Sequence, residues 1–463
     1  MPICKIVIGN PVKVEANGFS RKIGIMKFKR IDEIVQWRLC MGCGACVARC
    51  EAKALTLVDI SDVGLRPIVD LSKCRQCGEC VKVCPGIEIS HKTLNPQIIP
   101  ELSQEWGPVL DIWEGSASDS DIRYRGSSGG AATALALFCL EKRRVSGVLH
   151  IGTKPEAPLS NVPVLSRDRE DLLAYTGSRY SPAAPCEKLD WIEDVSDPVV
   201  FIGKPCDVVA LRKSQTNNDS LRKNIDAAIS IFCAGTPTTA GTYKILEELG
   251  VKVGDVEDFR YRGCGWPGMT TVRIKNSTQT RQMTYEQSWG NILCNYIQFR
   301  CRLCPDSTGE FADISCGDPW YRSVEADEPG RSLVLARTEK GRRIIQEAIE
   351  AGYVELVRVG SSTMPDSQKA LLKRRRHLWG RLLTMKLLLV PVPSYDGFNL
   401  FGNWLKLPVG EKCRSFAGTM KRIVSRSWTK PQKLSIAPDR LWSVEESEKT
   451  LIDSEEVESR CKT

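Results

Sequence analysis

The chain has 463 residues, of which 42% are hydrophobic and 26% are charged, a composition typical of globular proteins. This length predicts about three domains of ~150 residues, and no stretch approaches the ~20 consecutive apolar residues of a membrane span. Its 20 cysteines would indicate disulfides in a secreted protein, but residues 1–30 carry charges throughout and lack the apolar core of a signal peptide. We therefore expect a cytoplasmic protein whose thiols bind metal.

Residues 1–30 are expected to form an N-terminal extension, and residues 31–90 contain the most informative pattern. Two runs of the form C-x2-C-x2-C-x3-C lie there, and the segments ALTLVDI and LRPIVDL between them are predicted as short strands. This spacing is typical of a ferredoxin-type module with two 4Fe-4S clusters, in which the fourth cysteine of each run binds the other cluster. A pair of zinc sites is the alternative, although zinc knuckles do not need the third close cysteine. The predicted ligand sets are Cys40, Cys43, Cys46 and Cys84 for one cluster, and Cys74, Cys77, Cys80 and Cys50 for the other.

Residues 91–120 contain prolines and acidic side chains and are predicted to be a connector. Over residues 121–360 predicted strands such as VSGVLHIG, PVVFIG and AAISIFC alternate with helices, which indicates an α/β domain. One helix is expected over about 130–143 and a second directly after GKPC. Two further helices are expected to end near Leu249 and at Gly352. The predicted fold class is therefore α+β / α/β, with a small two-cluster module, a larger flavin-binding α/β domain and a basic, partly helical extension over residues 361–463.

A second group of cysteines lies in the α/β domain. Cys206 in GKPC and Cys233 in IFC come at or just after the end of a predicted strand, where an open α/β sheet gathers ligand-binding groups. Cys301 and Cys304 form a later C-x2-C pair that can complete a four-thiolate site. These four cysteines predict a third iron–sulfur cluster, with Cys316 as a reserve ligand. Ordinary buried thiols and a zinc knuckle stay open as alternatives.

A flavin is expected because clusters pass single electrons, and flavin is the usual group that converts them to hydride. The sequence lacks the G-x-G-x-x-G fingerprint of a Rossmann FAD site. Two glycine-rich segments are candidates instead: GSSGG (126–130), at a helix N-terminus that favours a pyrophosphate, and RYRGCGWPG (260–268), with arginines and a tryptophan. Each segment alone is also typical of a simple turn. With 3 histidines in the chain, a histidine-based mechanism is not expected.

The net charge of +9 comes almost entirely from one end of the chain. Residues 361–463 supply +8 of it, with basic residues around 373–376 and 421–430 and an acidic tail over 445–458. The basic segment could contact a membrane surface or a partner subunit, and HLWGRLLTMKLLL (377–389) has a matching amphipathic pattern. A solvated helix face is the alternative. Nothing in the sequence predicts nucleic-acid binding.

Four segments together resemble the coenzyme F420 hydrogenase/dehydrogenase beta-subunit family: GPVLDIWEGSASDSDIRYRGSSGGAATALALFCLE, FIGKPCDVVALRK, RYRGCGWPG and RCRLCPDSTGEFADISCGDPWYR. The similarity covers residues 31–360. It implies an iron–sulfur flavoprotein in which a ferredoxin part feeds a cluster next to FAD. In such proteins the FAD reduces or oxidises a deazaflavin coenzyme or another organic substrate. The family also includes a plant enzyme that reduces a hydroxymethyl group on chlorophyll with reduced ferredoxin.

The resemblance also implies roles for particular residues. Ser127, Ser128, Gly129, Gly130 and Thr133 would line the FAD phosphates. Ser178 and Tyr180 of the GSRY segment, with Gly203, Lys204 and Pro205, would approach the flavin. Arg262, Gly263, Trp266, Pro267 and Gly268 would close over it.

The leading hypothesis is an oxidoreductase that passes electrons between ferredoxin-type clusters and FAD, which exchanges hydride with coenzyme F420 or another organic partner. Its redox partner would be a protein subunit or reduced ferredoxin. No side chain is predicted to act as a nucleophile. Two alternatives stay open: a non-catalytic electron-transfer subunit of a hydrogenase or dehydrogenase complex, and a redox enzyme of a polysaccharide or other biosynthetic pathway.

Overall fold

The computed structural model describes residues 28–91, 97–154, 156–321, 328–432, 434 and 441–442. Nearly all of the predicted N-terminal extension, and the acidic tail over 445–458, lie outside these residues. Among the helices of the described part, none combines the length and the apolar character that crossing a membrane requires.

The cysteine-rich module contains one helix before the cysteine runs, one short helix within each run, an antiparallel strand pair and a third short strand. The first and second strands pair from Leu55↔Val69 to Ile60↔Gly64, as the alternating sequence predicts. Gly44 and Gly78 precede the two helices at equivalent positions of the cysteine runs, and both adopt the left-handed conformation that glycine tolerates. The elements are α1 (Ile31–Gln36), α2 (Ala45–Ala48), β1 (Leu55–Ile60), β2 (Gly64–Val69), α3 (Glu79–Lys82) and β3 (Glu88–Ser90).

The larger domain contains an eight-stranded mixed sheet. Its elements are α4 (Pro100–Trp106), β4 (Asp111–Ala117), α5 (Ser120–Arg125), α6 (Ala131–Lys142), β5 (Gly147–Lys154), β6 (Ala157–Ser166), α7 (Arg169–Ala174), β7 (Val199–Gly203), α8 (Pro205–Gln215), α9 (Asp219–Lys223), β8 (Ile225–Ile231), α10 (Thr239–Glu248), β9 (Val256–Arg260), β10 (Thr270–Ile274), β11 (Thr280–Met283), β12 (Ile314–Gly317), β13 (Ser332–Ala336), α11 (Glu339–Glu350) and β14 (Val354–Arg358). The strand order is β14-β4-β13-β12-β8-β7-β5-β6, and β9, β10 and β11 form a separate three-stranded sheet. The predicted architecture, a small cysteine-rich module followed by a larger α/β domain, is confirmed.

The centre of the large sheet is parallel, from β12 through β8 and β7 to β5. Its strands are apolar on both sides because both faces are covered. On one face Val200 and Ile229 pack with α6 and α11. On the other face Phe201 and Ala228 pack with α8 and with Cys43 and Ala45 of the cysteine-rich module. The module therefore sits directly on the sheet.

Residues 111–117 form an inner strand, β4, although the sequence analysis expects a connector over 91–120. β4 pairs antiparallel with β13 on one side and β14 on the other. The prolines and acidic residues that indicate a connector lie mainly before this strand. Gly115 has φ 159°, which is nearly extended backbone, and a Cβ there would lie 1.9 Å from the Glu355 carbonyl oxygen. Close strand packing therefore requires glycine at this position.

The C-terminal extension pairs and packs with the cysteine-rich module rather than forming a separate unit. Its elements are α12 (Thr363–Ser367), α13 (Lys369–Arg376), α14 (Leu378–Leu387), β15 (Ser394–Asp396), α15 (Leu400–Leu405), α16 (Val409–Ser425) and β16 (Leu441–Trp442). β15 pairs with β3 and β16 pairs with β1. Leu378 and Met385 of α14 are buried in one core cluster with Ile34 and Leu39. The chain itself therefore covers Leu378, Leu382 and Met385, which corrects the expectation of a free apolar face over this part of 377–389, whereas Leu387 and Leu389 at its end are exposed.

Candidate functional site

The first predicted ligand set converges in a buried cavity. Cys40, Cys43, Cys46 and Cys84 line it together, and all four are buried. Backbone N–H groups of Gly42 and Gly86 donate to the sulfurs of Cys40 and Cys84 at 3.3 Å each. Burial, followed by the neighbouring Cys40, raises the pKa of Cys84 to about 12. These thiols thus face one another in a desolvated space.

The second predicted ligand set surrounds a separate, more open cavity. Cys50, Cys74, Cys77 and Cys80 line it, and Cys77 is exposed. The Ala54 N–H donates to the Cys50 sulfur at 3.3 Å. Burial raises the pKa of Cys80, and the thiols of Cys77, Cys50 and Cys74 add to the rise. Both tandem sets therefore come together in the crossed pattern that the spacing predicts.

The third set gathers where two parallel strands end. Cys206 follows β7 in the first turn of α8, and Cys233 comes two residues after β8. The Thr236 N–H donates to the Cys301 sulfur at 3.4 Å. Burial and the charge of Cys301 raise the pKa of Cys233 to about 11, and burial raises that of Cys304 to about 12. The predicted reserve, Cys316, lies instead in the core on β12, where burial alone raises its pKa to about 12.

The thiol groups and the N–H donors of the three sets suit the binding of iron–sulfur clusters. Where burial raises the thiol pKa, as at Cys84, Cys233 and Cys304, the anionic ligand forms when a metal displaces the proton, which is the usual coupling of thiolate binding to pH. Backbone N–H donors aimed at sulfur stabilise the thiolate form. Within the described residues, no three or more His, Cys, Asp or Glu side chains are grouped so as to hold a single metal ion. A cubane cluster instead spreads its four thiolates over four irons.

Basic residues of the C-terminal extension hold the loops that carry the third set. Arg374 donates to the Ala234 carbonyl, next to Cys233, and to the Ser307 hydroxyl at 3.1 Å. Arg375 donates to the Pro305 carbonyl at 3.2 Å, next to Cys304, and forms a buried pair with Glu310. The run at 373–376 is thus neither a wholly solvated face nor, at these two residues, a free docking surface.

Glu310 also accepts from His91, at 2.8 Å. Although burial opposes ionisation, Arg375 and His91 lower the pKa of this carboxyl to about 2. Since the folded-state pKa lies below the unfolded value, its contribution to stability is present above about pH 4.5 and declines as the pH falls toward 2. The pair that anchors the extension is therefore fully formed at neutral pH.

Most of the residues that the family resemblance assigns to FAD come together around the start of α6. The Ser178 N–H donates to the Ser127 hydroxyl at 2.6 Å. Gly263 approaches the same place, since a Cβ on it would lie 2.7 Å from the Arg125 carbonyl. Gly130 caps α6 in the left-handed conformation with no side-chain cap. Ser128 and Gly129, however, bind the backbone and side chain of the segment 331–332, so they point toward the neighbouring strand.

Arg262 is buried and its guanidinium is already engaged by a carboxylate. It donates to both oxygens of Asp318, at 2.9 and 2.8 Å, and to the Pro267 carbonyl at 2.8 Å. The Trp266 indole N–H donates to the same carboxylate at 2.8 Å, and its ring stacks on Trp320 at 5.5 Å. The sequence analysis missed Asp318 and Trp320, although both lie in the quoted motif DISCGDPWYR.

Replacing Asp318 with Asn is expected to destabilise the protein by about 3 kcal/mol, because Arg262 is 2% exposed and would be left as a buried, uncompensated charge. Equilibrium urea unfolding followed by tryptophan fluorescence measures this change. The matched control is Asp219→Asn, since the pair of Asp219 with Arg222 lies on the surface and is expected to have no measurable effect. Equal midpoints for both variants would contradict the assigned importance of the buried pair.

Gly203, Lys204 and Pro205 lie beside the third cysteine set. Pro205 occupies the first turn of α8. Lys204 donates to Asp207 at 2.6 Å and to the Ala183 carbonyl at 3.1 Å. Although burial opposes its charge, Asp207 and then Cys206 raise the pKa of Lys204. The lysine therefore stays cationic close to the Cys206 and Cys233 thiols.

A cavity of about 1330 Å³ separates β1 from the edge strand β6. Ser181 and Pro182, which directly follow the GSRY segment, lie in its wall. Leu57 lines both this cavity and the first cysteine cavity. None of the residues assigned to FAD by resemblance lines it.

Three protein-family models match the chain. The 4Fe-4S dicluster domain matches residues 39–86. The coenzyme F420 hydrogenase/dehydrogenase beta subunit matches twice, with its N-terminal model over 112–189 and its C-terminal model over 196–361. The two halves together cover more than half of the 463 residues.

Several similar curated proteins have names that refer to coenzyme F420. The coenzyme F420 hydrogenase subunit beta of Methanococcus voltae is 28% identical over 244 residues, covering 52% of this chain and 81% of that protein. The coenzyme F420-dependent sulfite reductase of Methanocaldococcus jannaschii is 24% identical over 353 residues, 71% of this chain and 50% of that protein. A chain of the F420-reducing [NiFe] hydrogenase complex from Methanosarcina barkeri is 22% identical, with a TM-score of 0.46, covering 61% of this chain and 93% of that chain. With an iron–sulfur dicluster domain at its N-terminal side and matches to both halves of the larger domain, this chain belongs to the coenzyme F420 hydrogenase/dehydrogenase beta-subunit family.

Proposed function

We propose that the chain is an iron–sulfur flavoprotein that relays electrons between a redox protein partner and an organic hydride acceptor or donor. The observation that carries this proposal is the gathering of twelve cysteines in three sets of four, two of them lining separate cavities. When bound, 4Fe-4S clusters would carry single electrons and FAD would convert them to hydride transfer. The proposed ligands are the three sets described above.

The proposed FAD site lies around the start of α6. Ala132 and Thr133 in the first turn of this 12-residue helix are partly exposed, so their N–H groups are available to a phosphate. Gly263 and Gly268 approach each other so closely that a Cβ on Gly268 would lie 2.4 Å from the Gly263 nitrogen. Glycine is therefore required at position 268, because the Gly263 backbone occupies the place of a side chain.

Two charged pairs would support the site without touching the reacting atoms. Arg262 and Asp318 hold Trp266 and Tyr180 in place, with the Tyr180 hydroxyl 3.4 Å from the guanidinium. Lys204 would offset negative charge at the third cysteine set, while Asp207 keeps its ammonium group fixed. The site therefore contributes orientation and charge balance rather than a side-chain nucleophile.

The organic partner would occupy the cavity between β1 and β6, which is larger than a typical small-ligand pocket. Tyr180, on the flavin side, is followed by Ser181 and Pro182 in the cavity wall. A deazaflavin is the first candidate, because the Methanococcus voltae and Methanocaldococcus jannaschii relatives are named for coenzyme F420.

The test is to purify the full chain anaerobically and to measure iron, acid-labile sulfide, zinc and flavin per chain. About twelve irons with a matching amount of sulfide are expected for three cubane clusters, together with one FAD. Reduction of added coenzyme F420 by a low-potential donor would then identify the partner. Zinc without flavin would overturn the proposal.

A second candidate is an electron-transfer subunit without turnover of its own. Its support is the outer side of α16, where Val409 is 75% and Val424 is 69% exposed beside Arg414 and Lys421. An apolar stripe flanked by basic residues suits a partner subunit with an acidic surface. If the isolated chain turns over an organic substrate with an artificial donor, this candidate is excluded.

A further inference from the structure

Two hydrogen-bonded contacts connect the first cysteine set with the third. In one, the Cys186 N–H donates to the Cys43 carbonyl at 3.1 Å, and the Cys186 sulfur donates to the Asp207 carbonyl at 3.3 Å, next to Cys206. Gly44 makes this approach possible, because a Cβ there would lie 2.6 Å from the Glu187 nitrogen. This contact is uncharged.

The other contact is made by Arg300, which directly precedes Cys301. Its Nε donates to the Gly86 carbonyl at 2.9 Å, and its Nη2 donates to the Pro85 carbonyl at 3.2 Å. These two carbonyls belong to the turn that immediately follows Cys84. Arg300 therefore ties a residue of the first set to a residue of the third through a single side chain.

Arg300 is a buried cation without a carboxylate partner among the described residues, although the Tyr395 ring lies 5.5 Å from its guanidinium carbon. It is 1% exposed, and in the described part of the chain its hydrogen bonds go to carbonyl oxygens and not to a carboxylate. Its Nη1 is buried without a hydrogen-bond partner. Burying an unpaired guanidinium costs several kcal/mol. A cluster held by four thiolates is an anion, so clusters at Cys84 and at Cys301 would supply the missing charge on both sides.

Building on the proposed function, we propose that Arg300 is a positioning residue for electron transfer between the first and third clusters. Its charge stabilises the reduced, more negative form of both clusters and so raises both reduction potentials. Its two hydrogen bonds keep the Cys84 turn docked on the Cys301 loop. The second set, at Cys50, Cys74, Cys77 and Cys80, makes no contact with Arg300 among the described residues and serves as an internal reference.

The experiment compares the full-length wild type with Arg300→Gln and Arg300→Lys, all purified anaerobically and assayed for iron. Redox titration followed by electron paramagnetic resonance gives the potential of each cluster. In Arg300→Gln, we expect the reduced-to-oxidised ratio of the first and third clusters to fall about tenfold at a fixed poise, a shift of about 59 mV for one electron. The second cluster should not shift, and Arg300→Lys should keep most of the wild-type potential.

Cys186→Ala is the matched control, because it alters the same interface without changing its charge, and it should leave all three potentials unchanged. An iron-replete Arg300→Gln protein with three unchanged potentials, or with three equal shifts, would overturn the proposal. If Arg300→Gln binds less iron, the Arg300→Lys variant decides. Wild-type iron content and potentials in Arg300→Lys support the role of the charge, whereas loss of iron in both variants contradicts it. A wild type without iron would instead refute the proposed function, so the two failures are distinguishable.

Discussion

Deleting residues 365–463 is expected to cost the protein most of its bound iron and its native stability, rather than only a partner contact. The deletion removes Leu378 and Met385, which share a buried core with Ile34 and Leu39 of the cysteine-rich module. It also removes Arg375, which leaves Glu310 as a buried carboxylate without its guanidinium partner and with His91 as its remaining contact. That loss alone is expected to cost about 3 kcal/mol.

The control for this deletion is a chain shortened by residues 443–463 alone, which removes none of the described contacts. Iron content and urea midpoints of the two truncated chains are to be measured against the full chain. We expect the shorter deletion to match the full chain. A protein ending at residue 364 with full iron and an unchanged midpoint would show that the extension is a dispensable docking element.

The sequence predicts the sheet strands well where apolar runs are continuous. β7 and β8 read as VVFIG and IDAAISI because parallel central strands are buried on both faces. β4 is missed because DIWEGSA mixes charges and a glycine with its apolar residues. Glu114 on this strand is 4% exposed and accepts from Tyr321 at 2.7 Å, so its burial depends on a partner more than 200 residues away. Local sequence carries no sign of such a contact.

The charge pairs of the C-terminal extension could not be predicted from local sequence either. Lys373 to Arg376 read as a solvated or docking surface because their sequence neighbours are also basic. In the structure Arg375 and Arg376 pair with Glu310 and Glu105, which come from distant segments. Tertiary contacts therefore decide which of these basic side chains are paired and which are exposed. Amino-acid composition alone does not predict which basic side chain forms an ion pair with a carboxylate.

The candidate site divides along similar lines. The cysteine spacing predicts which thiols share a cavity, because ligand spacing within a short loop fixes which side chains can meet. Arg300 opens the quoted segment RCRLCPDSTGEFADISCGDPWYR and Cys186 lies in no quoted motif. The contacts of both residues form between segments that meet only after folding, so the sequence does not indicate them. Asp318 is visible in the sequence only as a carboxylate near a tryptophan. Its partner Arg262 is 56 residues away.

Replacing Cys206 with Ser is expected to remove one cluster and to interrupt the relay while sparing the other two. Iron per chain should fall from about twelve to about eight, because serine is a poor substitute for thiolate at a soft metal site. The two clusters of the module should keep their resonance signals, since Cys206 lies outside both of their cavities. On the proposed function, rapid reduction of the module should then no longer be followed by reduction of the proposed flavin on the same timescale.

Cys316→Ala separates this prediction from a general loss of folding. Cys316 is also a buried thiol at the end of a strand that neighbours β8, but it lies in the core rather than with the third set. Its replacement should leave iron at the wild-type level, with at most a small loss of stability. If Cys206→Ser keeps all of its iron while Cys316→Ala loses four irons, the reserve ligand is the true one. The ligands of the third cluster would then have to be reassigned to include Cys316 on β12. The proposal that Arg300 lies between the first and third clusters would then be wrong.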